Sequence, residues 1–149
     1  PLANIIITCT DNTRSRLDLW RFLKKYREYK NNDEKAPIYW MDFGNAQTTG
    51  QVMVGNIRSK ISQPASSEYL PMPRMNVITE EVSYSTIREE DSGPSCSLAE
   101  ALRKQDLFIN SMLAQIGCDI LWRMFREGRT FYRGAYLNLG PLRVNPIPV

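Results

Sequence analysis

The alternation of apolar and polar positions divides the chain into short extended runs and two helical stretches. Ile5, Ile6 and Ile7 make a continuous apolar run within Asn4 to Thr8. Such a run predicts a short strand covered on both faces and flanked on both edges, as in a parallel sheet. Leu17, Trp20, Phe22, Leu23 and Tyr26 then give an apolar side to a helix reaching about Tyr29. Asp11, Asn12 or Thr13 can cap that helix, because their side-chain oxygens accept from its orphan amides. Ile38 to Phe43 (IYWMDF) reads as a second strand and Gly50 to Gly55 as a third, with Ala46 to Thr49 a loop between them.

Periodicity is lost between Ser59 and Pro94, where Pro64, Pro71, Pro73 and Pro94 interrupt the chain. This is a long connector with a short extended piece near Asn76 to Ile78, and loops of this length are uncommon unless functional or mobile. Leu98, Leu102, Ile109, Leu113, Ile116, Ile120 and Met124 then recur at three-to-four spacing. They predict one long amphipathic helix from about Ser97 to Arg126, ended by Gly128 in a left-handed cap. Thr130 to Tyr132 and Ala135 to Leu139 read as a hairpin turning through Arg133-Gly134. The tail PLRVNPIPV reads as an extended, proline-blocked edge.

Composition narrows the chemistry. The 149 residues suffice for one domain. The net charge of +3 is too small to argue for nucleic acid, and Arg21, Lys24, Lys25, Arg27 and Lys30 read as the solvated face of the first helix. No apolar run reaches the roughly 18 residues of a membrane span. Three scattered cysteines build neither a disulfide framework nor a zinc site, so a reducing cytoplasm is expected. Cys9 and Cys118 fall at core-type positions. The chain has no histidine, which removes imidazole-activated nucleophiles. A triple-Ile strand beginning at once after Pro1 further predicts that these residues belong to a larger polypeptide with preceding strands.

Several segments together carry a resemblance. The strand ending in TCTDN with Arg16 five residues after Asp11, the stretch YWMDFGNAQTTGQVMVG, PSCSLAEALRKQDLFINSMLA and YRGAYLNLGPLRVNPI resemble the C-terminal half of the ThiF family. More narrowly, they are similar to the ThiF-related proteins of the bacterial PRTRC gene cassette. The resemblance covers nearly the whole chain. It implies an α/β fold: the C-terminal part of a Rossmann-like mixed sheet, with a long amphipathic helix, a crossover loop over residues 59–96 and a terminal β-hairpin. It also implies an adenylyltransferase, usually homodimeric, that uses ATP and Mg²⁺ to activate the C-terminal carboxylate of a ubiquitin-like or sulfur-carrier protein.

Carried over by position, Asp11 matches the family's aspartate for Mg·ATP, and magnesium does favour one or two carboxylates with phosphates. A plain helix cap is the competing role. Asn12 and Arg16 match the same motif as nucleotide contacts; a cap is the ordinary role for Asn12, and a structural pairing with a neighbouring loop for Arg16. Cys96 lies where relatives place an acyl-accepting thiol, and a helix N-terminus would acidify it; a small buried residue is the alternative. Gly44, Asn45, Gly50 and Gln51 match a turn and are assigned no chemistry. Trp122, Met124 and Phe125 read as core or dimer surface.

The family's glycine-rich phosphate loop lies upstream of TDN and is not among these residues, so this polypeptide alone is expected to bind ATP weakly or not at all and to be inactive by itself. Paired CxxC motifs are absent from the sequence, and no zinc is expected. The alternative function is a non-catalytic interaction or dimerisation module derived from the same fold.

Overall fold

A computed structural model describes residues 3–10, 12–29, 37–58, 61, 63–68, 74–84 and 105–149. Its elements are β1 (Ile5–Thr8), α1 (Thr13–Tyr29), β2 (Tyr39–Asn45), β3 (Thr49–Asn56), α2 (Ile78–Glu81), α3 (Ile109–Arg126), β4 (Tyr132–Asn138) and β5 (Arg143–Pro148). The strands form one mixed sheet in chain order, β1 parallel to β2 and each later neighbour antiparallel. The chain is therefore α/β.

Each face of the sheet carries its own core. On one, Trp20 and Leu23 of α1 pack with Val77 and Ile78 against Trp40 and Met53. On the other, Ile109, Leu113 and Ile120 of α3 cover Met41, Val52, Val54 and Leu137. Burial on both faces explains the unbroken apolar stretches in β2 and β3, because successive side chains point to opposite sides. The boundaries of β2, β3 and α1 lie within two residues of those expected, with Thr49 joining β3 rather than the loop.

Other elements depart from the sequence pattern. β1 is the sheet's edge among the described strands; Ile6 and Ile5 pack against the cores on opposite faces, but Ile7 is 52% exposed, so the triple-Ile run is only partly covered. Asn76 to Ile78 leads into the helical turn α2, where the Glu80 carboxylate accepts from the Val77 amide at 3.2 Å. The long helix begins only at Ile109. Ahead of it Asp106 accepts from the Phe108 amide at 3.1 Å, while its own amide donates to the Gln47 carbonyl at 2.7 Å. This turn satisfies groups that a continuing helix would have used; residues 97–104 lie outside the described residues. Cys9 and Cys118 are exposed rather than core.

Arg133-Gly134 is not a turn. β4 runs straight through it with a bulge at Arg133, and the hairpin is β4 with β5, closed where Leu142 takes φ 52°. Two long-range contacts override the local turn signal. Arg133 bonds the Asn76 carbonyl at 3.0 Å and Glu81 at 2.6 Å, and any Cβ at Gly134 would lie 2.3 Å from the Val52 carbonyl oxygen. The proline-bearing tail does form the edge strand β5, its Pro146 and Pro148 blunting that border.

Since the atom in the way at Gly134 is backbone, Gly134→Ala is expected to cost about 1–3 kcal/mol by overpacking. Gly140→Ala, with only the Asn138 side chain at 3.4 Å, should be near neutral. Urea denaturation followed by circular dichroism compares the two.

Candidate functional site

Parallel strands β1 and β2 deliver their carboxyl ends to the same border of the sheet, with Thr8 in register with Asp42. Asp42 is a carboxylate in an apolar strand and only 1% exposed, so it requires partners. They come from two elements, β1 and α1. The Thr8 hydroxyl donates to Oδ1 at 2.6 Å and itself accepts from Trp40 Nε1 at 2.7 Å. Arg16, on the first turns of α1, donates through Nε to Oδ2 at 2.9 Å. Burial pushes the Asp42 carboxyl above its ordinary range, opposed by the Thr8 hydroxyl and the Arg16 guanidinium.

Arg16 does more than neutralise Asp42. Its Nη2 donates to the Phe43 carbonyl at 2.9 Å and its Nη1 reaches the Asn12 carbonyl at 3.5 Å. The guanidinium also lies 5.9 Å from the centre of the Tyr84 ring, whose phenol is pushed up by burial. Asn12 in turn caps α1, its Oδ1 accepting from the Ser15 amide at 2.7 Å. The start of α1 and the end of β2 are thereby held together.

Beside this network, on the opposite face of the sheet, opens a cleft of about 450 Å³. Cys9 and Thr10 at the exit of β1, Phe43 and Asn45 at the end of β2, and Gln105, Asn110, Leu113 and Ala114 around the start of α3 line it. The carboxyl ends of strands are where open α/β sheets bind ligands. The described lining holds no charged side chain: it offers neutral amides, a hydroxyl and a thiol on an apolar floor. Thr10 Oγ1 is buried with no hydrogen-bond partner among the described residues, the kind of orphaned oxygen that a ligand or a metal-bound water satisfies.

The structure brings Asn12 and Arg16 together, but as a cap and a buried tie: Arg16 is 6% exposed. Asp11, next in the chain to Thr10, and Cys96 both lie outside the described residues. Among the described residues no cluster of three metal-ligating side chains occurs. Sequence reasoning missed the Asp42–Arg16–Thr8 network and the cleft amides Asn45, Gln105 and Asn110. An acid inside IYWMDF was a usable signal, since a carboxylate amid buried residues demands a cation; the amides, distant in sequence, carried none. No family model matches the chain, and no curated protein matches it.

Removing one partner of a buried ion pair strands the other. Asp42→Asn is expected to destabilise the fold by about 3–5 kcal/mol. The double change Arg16→Met with Asp42→Leu should cost clearly less than the two single losses summed. A double-mutant cycle by chemical denaturation reads the difference.

Proposed function

We propose that this chain forms the carboxylate-activating side of a ThiF-like adenylyltransferase acting on a ubiquitin-like or sulfur-carrier protein. One observation carries the reading: a cleft whose described lining is rich in neutral amides opens at the carboxyl ends of the parallel strands, where TDN follows β1 in sequence. The mixed sheet, parallel at β1–β2 and antiparallel beyond, is compatible with the C-terminal part of a Rossmann-like domain.

The donor chemistry fits Mg·ATP. Asp11 would hold the metal, and the orphaned Thr10 hydroxyl supplies a further hard oxygen at the same border. When bound, Mg·ATP supplies an electrophilic phosphorus and neutralises the charge that develops on its phosphates. The chain's own residues do the positioning. Asn45, Gln105 and Asn110 offer both donors and acceptors to an extended peptide entering the cleft, and Phe43 with Leu113 keeps its floor dry. Arg16 fixes the turn that follows Thr10 relative to β2, a positioning role rather than a nucleotide contact. Cys96 is the candidate acceptor of the activated acyl group.

The exposed aromatics on α3, Trp122 and Phe125, favour a second reading in which the chain serves as a dimerisation or interaction module without chemistry. ATP–pyrophosphate exchange separates the two, measured in the protein as its gene encodes it, with a carrier protein supplying the carboxylate. Asp11→Ala is expected to lower exchange by at least a hundredfold. Cys96→Ala should leave exchange intact while abolishing the covalent carrier adduct. Exchange unchanged in Asp11→Ala removes this residue from the mechanism, and no exchange in the parent protein favours the module.

A further inference from the structure

Both apolar side chains of the cleft floor lie against a glycine. Phe43 of β2 meets Gly117 of α3, where a Cβ would fall 2.3 Å and 2.5 Å from two ring carbons. Leu113 of α3 meets Gly50 of β3, where a Cβ would fall 2.5 Å from the leucine Cδ1. Neither glycine has a positive φ, so neither is needed for its backbone conformation. Glycine inside a helix or strand is destabilising relative to alanine. What both positions provide is room.

A side chain at either position has one outlet. Carbon atoms rest about 3.5–4.0 Å apart, so the ring or the leucine methyl would move by about 1 Å or more. The far end of a side chain yields more easily than a packed helix. Phe43 is held by the cluster of Met41, Val52 and Val54 and by that of Ile109, Leu113 and Leu137. Such packing leaves no spare volume. The unfilled space beside both side chains is the cleft, about 450 Å³.

We propose that Gly50 and Gly117 are positioning residues for this cleft, setting its depth by seating Leu113 and Phe43 out of the space that an occupant fills. Above that apolar floor, the amides of Asn45, Gln105 and Asn110 offer donors and acceptors. A slender chain with neutral hydrogen-bonding groups on one side and a small apolar flank on the other fits this arrangement. Extended peptide has that chemistry; that it is the tail of a carrier protein rests on the adenylyltransferase reading. The role of the two glycines rests on the geometry alone. Gly117 gives the cleaner test, because a Cβ at Gly50 would also lie 2.9 Å from the Gly44 carbonyl oxygen.

The experiment reads access to Cys9, which lines the cleft and is exposed. N-ethylmaleimide and the wider N-pyrenylmaleimide are applied to the protein as its gene encodes it, and alkylation is followed at the Cys9 peptide by mass spectrometry. Gly117→Ala is expected to slow the wide reagent by about fivefold or more and to change the small one by less than about twofold. Adding Phe43→Leu to Gly117→Ala should restore the wide reagent's rate, because the shorter side chain leaves the new methyl its room. Gly134→Ala, overpacked against the backbone of β3 instead, should change neither rate. A wide-to-small ratio that Gly117→Ala leaves unchanged, or that Gly134→Ala lowers equally, overturns the proposal. Where Gly117→Ala does not fold, Phe43→Leu alone decides: a faster wide reagent supports the proposal and an unchanged one overturns it. Pyrophosphate exchange enters none of these readouts, so the outcome is separate from that of the adenylyltransferase reading.

Discussion

The Arg16–Asp42 pair is the constraint on which the functional border depends. β1 is only four residues long and has one neighbour among the described strands, so it has little apolar area with which to set its own register. A slip of one residue would turn every β1 side chain to the opposite face. The Thr8–Asp42 hydrogen bond opposes this, since a slip would take the hydroxyl away from one oxygen of a buried carboxylate. Arg16 extends the same device to α1. A buried ion pair is weak evidence for net stability, since desolvation offsets much of its attraction. What its geometry does is tie α1 to one position against β2, while the Thr8 bond ties β1 to the same carboxylate.

That logic explains which parts of the fold were legible in the sequence. α1, β2 and β3 follow from local periodicity because their burial is regular over several turns or residues. The start of α3 was hidden, because Leu107 and Phe108 continue the helical spacing while Asp106 ends it through bonds to Gln47 and Phe108. Arg133-Gly134 has the composition of a turn. It is held straight by contacts to residues 52, 76 and 81, far away in sequence. In both places tertiary contact defeated a correct local rule.

The site was legible to a similar degree. TDN follows β1 directly, so in sequence it marks the carboxyl end of that strand, the border at which the described cleft opens. The residues that shape the cleft come from β1, β2 and the start of α3. No spacing rule joins Cys9 to Asn45 or Asn110. Asp42 was visible as an anomaly, but its cation, 26 positions earlier, becomes a partner only once α1 is laid on β2.

The two sides of α3 bring these threads together. Leu113, on the buried side of α3, and Ala114, on its exposed side, both belong to the wall of the cleft. Anything that shifts α3 against β2 then reshapes the cleft. Gly117 lets this helix sit close to the sheet, since a Cβ there would fall 2.3 Å from the Phe43 ring, itself part of the cleft floor. The width of the cleft is therefore set by how closely α3 approaches β2, and a side chain at position 117 would have to push the helix or the Phe43 ring away and so change the cleft itself.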